Sequence, residues 1–403
     1  MTVTYTLWNQ HFALWWLGSA QSAFGNALAG IALSFLVLEQ TGSAGAMGVS
    51  LALTLLPALL SPLAGTLVDR ISLKLPLVLG DALRGVIVGF VGLWALNGEV
   101  PLLLIYVLSL LQGLIGTLYQ PAAGALVPHL VPAHELARAN ALLGAAHQTA
   151  ALLGLVGGGL LVTRVGSGPA LLVDAVTFLV MSCLLMFVAM PARVVRGAQR
   201  RFSVDFLAGL ARVRRSRVLM LVPVMAFFVN ASIAPMQMLL PKRMLELGAG
   251  AAGYGTFMAC LVLGMLLGST GVAALGQRSS PRVAAGVGLA VIGMGVTLLA
   301  AAQSAAALWC FALVLGVGTG VTNSALPMLL QTLVEREYHG RVFSLLSMIG
   351  QIGMPATLLA LAPIADHVPL TLVFGTAGGV TLLASVAWAV WATDRQAPDP
   401  LAA

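Results

Sequence analysis

The chain is built from long, unbroken apolar runs, and these limit its fold more than any other feature. They lie near 12–38, 44–68, 76–96, 101–127, 139–163 and 168–190, then near 218–240, 251–276, 283–302, 305–331, 342–364 and 369–392. A hydrocarbon layer of about 30 Å is crossed by about 20 helical residues. The runs are continuously apolar rather than alternating, which selects helices over a membrane barrel. Only 8% of the 403 residues are charged and 59% are hydrophobic, with mean hydropathy +0.99. A water-soluble domain carries roughly 25% charged residues, so the solvent for most of this chain is lipid. The expected fold is an all-α membrane protein of twelve transmembrane helices. The first run lacks a basic flank and is too long for a signal h-region, so no cleavage is expected.

The cations set the orientation. With both termini in the cytoplasm, seventeen of the twenty Lys and Arg fall on that side: Arg70, Lys74, Arg84, Arg138, eight Arg between 193 and 217, Arg278, Arg282, Arg336, Arg341 and Arg395. The other side keeps Arg164, Lys242 and Arg243. That asymmetry is the positive-inside signature of a multi-pass plasma-membrane protein, in a bacterium the inner membrane. It also accounts for the net charge of +7 through anionic membrane lipids, with no nucleic-acid partner.

Two polar stretches echo one another. HLVPAHELARANALL (129–143) and TLVEREYHGRVFSLL (332–346) share Leu, Val, Arg, Leu and Leu at a constant offset, with Arg138 answering Arg341. The first joins spans 4 and 5 and the second spans 10 and 11. The repeat is therefore six helices long, and both copies run in the same direction, as in carriers built from parallel halves. This divides the chain into a six-helix bundle at 1–190, a basic cytoplasmic linker at 191–217 containing RVRRSR, and a second six-helix bundle at 218–403.

GTLVDRISLK (65–74), following span 2, resembles the loop signature of the major facilitator superfamily through Gly65, Asp69, Arg70 and Lys74; Leu73 stands where a basic residue is common. WNQHFALWWLGSAQSAFGNALAG, DALR (81–84), PHLVPAHELARAN and GRVFSLL are similar to the branch holding the enterobactin and macrolide exporters. The resemblance implies two pseudo-twofold-related bundles and a gating cluster at the cytoplasmic edge: Gly65, Asp69, Arg70, Lys74, Asp81, Arg84, Arg138 and Arg341. Gly65 is expected to bring two helix backbones together. The matching segment of the second half, GVAALGQRSSPR (271–282), has Leu275 where Asp69 would fall.

Polar side chains inside a membrane are costly and mark pathways. By the resemblance, spans 1, 4, 7 and 10 line the central path, which nominates Gln21, Asn26, Gln112, Tyr119, Asn230, Gln237 and Asn323 as substrate-binding. Asn26 and Asn230 each follow a Phe by two residues in equivalent helices. The competing reading is that these amides only bond helix to helix. Proton coupling needs a group that changes charge, and Asp174, His147 and Glu39 are the candidates. Relatives in this branch often carry Asp in span 1 after the Gly, where this chain has Asn26. Antiporters of the superfamily often have Pro where GLVGGG (154–159) has Leu155.

No GxxxxGK[ST] loop is present, so ATP is not expected to drive the protein directly. GVGTGV (316–321) lies inside an apolar run with no strand before it, and reads as small-residue helix packing. Cys183, Cys260 and Cys310 are dispersed within spans without metal-ligand spacing, so neither a metal nor another cofactor is expected. The resulting expectation is a transporter rather than an enzyme. It would be a monomeric secondary exporter of amphiphilic small molecules, drug- or siderophore-like, working by alternating access in exchange for protons. A lysophospholipid flippase or an import facilitator of the same superfamily is the alternative. A non-transporting membrane receptor is disfavoured by the short tail after Trp391.

Overall fold

The computed structural model describes residues 7–68, 71–190, 217–276, 280–334 and 339–392, with the side chains of 217, 218, 339–345 and 392 outside the description. Twelve helical spans appear in the expected order: α1 Gln10–Thr41, α2 Ala44–Val68, α3 Leu75–Asn97, α4 Leu102–Leu130, α5 Leu136–Val165, α6 Ser167–Met186, α7 Arg217–Glu246, α8 Gly250–Leu275, α9 Pro281–Ala301, α10 Ala305–Leu333, α11 His339–Leu361 and α12 Leu370–Ala392. Eleven are long and apolar enough to cross a membrane; in α11 the described apolar stretch is Leu346–Leu361. No strand occurs among the described residues.

Local chemistry sets the ends and irregularities. Asn9 caps α1 by accepting from the Phe12 amide at 3.0 Å, and Gly42 stops the helix with φ +64°, a conformation that suits a residue without Cβ. Ser43 and Ser304 cap α2 and α10 in the same way, at 3.1 and 3.2 Å. Pro57 sits in a 3₁₀ turn over Leu56–Leu60 within α2, and α3 opens on a wide π turn over Leu75–Leu79 containing Pro76. A proline nitrogen cannot donate to the helical ladder, so the backbone rearranges locally.

The chain divides into two compact units. The first holds 1–199 together with 237–259 and 358–366; the second holds 200–236, 260–357 and 367–403. In the first, Phe12, Leu73, Leu77, Leu126, Met181 and Leu185 form a core at the end of the bundle that carries Lys74 and the 131–135 loop. In the second, Leu219, Leu289, Leu329 and Trp388 do the same, and the Trp388 indole N–H donates to the Arg282 carbonyl at 2.9 Å.

Lipid removes the solvent drive for helices to associate, so close backbone approach carries much of the packing. A methyl at Gly154 would collide with the Phe24 carbonyl of α1, and one at Gly158 would sit 2.8 Å from the Leu28 Cα. GLVGGG is thus the face on which α5 meets α1. In the second unit, Gly316 and Gly320 of GVGTGV are pressed against the Leu261 and Met265 carbonyls of α8, which is small-residue packing as expected. Gly65 behaves otherwise. A Cβ there would meet nothing within 4 Å, so the close approach expected at Gly65 is absent. The α2 seam is made instead at Gly113, where a methyl would collide with the Thr54 carbonyl.

Candidate functional site

Inside the first six helices lies a cavity of about 220 Å³. Asn26 and Gly30 of α1, Thr54 of α2, Arg84 and Val88 of α3, Ser109 and Gln112 of α4, and Asp174 and Phe178 of α6 are among its walls. Most of the remaining lining is aliphatic, including Leu33, Val91, Leu108 and Leu171. An apolar chamber with a few convergent polar groups is the usual form of a small-molecule site.

The charged corner is assembled from three helices. Asp81 and Arg84 stand one turn apart on α3; Asp81 is wholly buried, with the Tyr119 hydroxyl of α4 beside its carboxyl. Sequence reading placed this pair at the headgroup edge and counted Arg84 among the loop cations. The structure places both inside the bundle. The Arg84 guanidinium lies 5.0 Å from the Tyr119 ring centroid on α4 and 5.6 Å from that of Phe178 on α6. Cations are attracted to aromatic faces, and these two rings hold the head in place. Gly116 makes room for it, since a Cβ there would lie 2.5 Å from Arg84 Nη2.

Asp174 reaches the same corner from α6. The Thr177 hydroxyl donates to its own helix at the Asp174 carbonyl (2.8 Å) and lies 3.2 Å from Asp174 Oδ1. Both side chains pack onto Gly25 of α1, where a methyl would collide with the Asp174 carboxyl and the Thr177 hydroxyl. Gly25 therefore creates the seat that delivers a carboxylate from α6 to the surface of α1, beside Asn26.

The other candidates separate by environment. Gln112 lines the cavity with Asn26 and donates weakly to the Arg84 carbonyl at 3.5 Å; Tyr119 adjoins it through Arg84. Asn26 also donates to the Ser22 carbonyl one turn back, at 2.9 Å, and Asn230 does the same to Ala226 at 2.9 Å. The parallel between these two asparagines is thus one of helix bonding, and only Asn26 lines this cavity. Gln21 donates to the Thr177 carbonyl at 2.7 Å and fastens α1 to α6. Gln237 and Asn323 are not among the cavity walls. His147 is exposed on α5, and Glu39 accepts from Ser167 at the opposite end of α1, at 3.4 Å. Lys74 donates to the Met186 carbonyl at the end of α6, 3.2 Å away, and Arg138 makes an exposed 3.9 Å pair with Glu135. Asp69 and Arg70 lie outside the described residues, as does the side chain of Arg341.

A second charged cluster, which sequence reading missed, closes the other end of the first unit. Asp366, in the loop before α12, accepts from Ser43 Oγ at 2.6 Å, from the Ala44 and Gly45 amides at 2.9 and 3.4 Å, and from Lys242 Nζ at 2.7 Å. Burial pushes its carboxyl up, but the hydrogen bonds from Lys242, Ser43, Ala44 and Gly45 outweigh that and hold it well below the usual carboxylate range. Beneath it the backbones meet at glycines: Gly45 against the Ala362 carbonyl, Gly48 against Met238, and Gly255 against the Leu155 carbonyl. Ser109 and Thr54 were also missed as cavity residues, because nothing in an apolar run marks which hydroxyl faces inward. Ser109 shares a 2.8 Å hydrogen bond with Ser50.

Comparison with known proteins agrees with this architecture. The model of the Major Facilitator Superfamily matches residues 15–357 and 226–403. The chain is 25% identical over 367 residues to the multidrug efflux pump Tap of Mycobacterium tuberculosis, covering 88% of this chain and 86% of that one. It is 23% identical over 374 residues to macrolide efflux protein A of Streptococcus pyogenes, covering 90% and 91%. Among solved structures, the nucleoside transporter NupG superposes with TM-score 0.76 at 10% identity, over 96% of this chain and 100% of that one. A bacterial homologue of the iron transporter ferroportin in an inward-facing state gives 0.71 at 16%, over 95% and 98%.

Proposed function

The chain belongs to the Major Facilitator Superfamily, and from that premise we propose that it is a secondary exporter of amphiphilic small molecules, driven by protons moving the other way. It is a multi-pass membrane transporter. The finer reading places it in a bacterial inner membrane as a monomer, with both termini in the cytoplasm. One observation carries it: a largely apolar cavity whose walls carry Arg84 of α3 and Asp174 of α6. Ionisable groups at membrane depth are expensive and are retained where they move charge or bind solute. Relatives named for multidrug and macrolide efflux favour export.

The chemistry follows from placement. Asp174 is the group that gains and loses the proton, because it lines the cavity whereas Asp81 is sealed away from it. Arg84, held between two rings, keeps the sealed carboxylate company. Asn26 and Gln112 offer amide donors and acceptors to the solute, and the aliphatic walls take its apolar surface. Alternating access then exposes the cavity to one side at a time.

Inverted vesicles loaded with a chemically varied panel of amphiphiles, with and without an imposed proton gradient, test the reading. Gradient-dependent accumulation is expected for the wild type and not for Asp174→Asn. Accumulation that ignores the gradient, or that survives unchanged in Asp174→Asn, rejects proton coupling through this residue.

A further inference from the structure

Between α9 and α12, within the second unit, a groove of about 310 Å³ opens on the surface of the chain. It arises from a change in how the two helices meet. At Gly293 they touch backbone to backbone: a methyl there would lie 2.8 Å from the Leu382 amide nitrogen and 3.1 Å from the Gly378 carbonyl. Nearer the start of α9 the Trp388 indole comes between them. It is fixed by its hydrogen bond to the Arg282 carbonyl, and a methyl on Gly286 would lie 2.9 Å from its Cδ1. The helices are thus held apart at this end, and Gly286, Ala290 and Ala389 are too small to refill the gap. Val283, Val287 and Val386 form the rims and are exposed. Exposed valines within apolar spans meet lipid tails.

The groove is polar at one end only. Arg282 lines it there, half-buried, and among the described residues no carboxylate pairs with it. The neighbouring sequence offers none: 271–282 holds Arg278 and Arg282 but no Asp or Glu, with Leu275 where the first half has Asp69. Trp391, exposed and three residues beyond Trp388, marks the same end of α12, and tryptophans collect at headgroup depth. From Arg282 to Ala290 the groove descends about 12 Å along α9, at about 1.5 Å per residue. That is most of one leaflet of a hydrocarbon layer about 30 Å thick.

We propose that this groove binds one anionic phospholipid, its phosphate against Arg282 and one acyl chain along the valine-rimmed channel. Cation, indole and aliphatic wall follow one another along the groove in the order in which the lipid presents phosphate, interface and tail. A free phosphate would leave the channel unfilled, and a zwitterionic lipid would bring its own cation to Arg282. The inference goes beyond the exporter reading and does not depend on what the protein carries or in which direction.

The test uses the purified full chain in detergent micelles. Phosphatidylglycerol with a photoreactive diazirine in one acyl chain is bound and illuminated, and the labelled peptides are identified by mass spectrometry. Unlabelled phosphatidylglycerol, phosphatidylcholine and glycerophosphate serve as competitors. Labelling is expected at one lipid per chain, on 283–290 of α9 and 386–389 of α12. Phosphatidylglycerol should compete about fivefold better than phosphatidylcholine, the value of one arginine at an anionic lipid surface, and glycerophosphate should not compete. Arg282→Gln should erase that preference and keep the labelled positions. Ala290→Phe, which fills the channel, should weaken both lipids about tenfold, the burial of about two methylenes. Arg138→Gln, which removes an exposed cation of the first unit, should change neither. If a groove variant does not fold, judged by thermal unfolding, the wild-type competition decides alone. Equal competition by the two lipids, full competition by glycerophosphate, or labelling spread evenly over the other spans each overturns the proposal. So does a covalent link between two chains through Val283 or Val386, which would make the groove an interface between copies.

Discussion

Removing the Asp366 carboxylate should open one end of the first unit by a calculable amount. The carboxylate caps the start of α2 through Ser43, Ala44 and Gly45, and binds Lys242 of α7 at 2.7 Å. Loss of a helix cap costs about 1 kcal/mol. The ion pair is partly shielded, with side chains 24% and 33% exposed, and adds at most about 1 kcal/mol. Asp366→Ala should therefore favour opening by about 2 kcal/mol, roughly thirtyfold in the equilibrium. Asp366→Asn keeps an oxygen acceptor for the α2 amides and loses only the charge, for about 1 kcal/mol, or roughly fivefold.

Met238 reports the opening. It is wholly buried beneath the cluster, with its sulfur against Gly48. In a background with Cys183, Cys260 and Cys310 replaced by Ser, Met238→Cys should react with a membrane-impermeant maleimide at a rate set by the open fraction. Asp366→Ala should raise that rate about thirtyfold and Asp366→Asn about fivefold. The pH dependence has a definite sign. A carboxylate held below its ordinary value stabilises the closed form above the unfolded value of about 3.9, and that contribution disappears only as pH falls through the lower folded value. Labelling should accordingly stay flat from about pH 8 to 5 after correction for intrinsic thiol reactivity. A rate unmoved by Asp366→Ala, or one that climbs at mild acidity, would show that the cluster does not hold this end shut.

Three further outcomes are expected. Gly113→Ala forces a methyl against the Thr54 carbonyl, a backbone atom that cannot swing aside, and should lower stability by about 1–3 kcal/mol in thermal unfolding; Gly65→Ala, facing open space, should change it by less than about 0.5 kcal/mol. Gly25→Ala should displace Asp174 and Thr177 and reduce gradient-dependent transport at least tenfold while protein still reaches the membrane, a result checked by vesicle uptake normalised to protein amount. Asp69→Asn should slow turnover with ligand binding retained, measured by comparing equilibrium binding with transport rate; equal loss of both would point to a site or folding role.

Much of the fold was legible because lipid demands long apolar helices and tolerates few exceptions. The twelve runs and the glycine faces of α5 and α10 follow from run length and small residues. What escaped was anything decided by helix rotation. Arg84 looks like a loop cation because it follows a short polar stretch, yet α3 starts at Leu75 and turns it inward. Gly65 looks like an interface glycine and faces open space, while Gly113, unmarked in the sequence, makes the contact. Asp366 was invisible for another reason: its partner Ser43 is 323 positions away, and no local pattern links a short loop to a helix start across that separation.

The substitution of Asn26 for an acid weakens, on sequence grounds, the case for a charge-carrying first helix. The structure changes the weight of that argument. A titrating group must be near α1 and open to the cavity; it need not belong to α1. Gly25, next to Asn26, has no side chain, and the space it leaves is filled by the Asp174 carboxyl and the Thr177 hydroxyl arriving from α6. Any larger residue at 25 would expel the acid from α1. Asn26 thus supplies a neutral amide where an acid on α1 would line the same cavity as a second carboxylate, and two like charges in one low-dielectric corner raise the cost of ionising either. The arrangement keeps one buried acid on the cavity wall, one sealed acid and one fixed guanidinium. Transplanting the acid back, as Asn26→Asp, should therefore not add a second coupled proton but should force one of the two carboxyls at the cavity to stay neutral. Stoichiometry measured from reversal potentials would remain unchanged; a second coupled proton would show that α1 and α6 act independently, and that Gly25 is spacing rather than a seat.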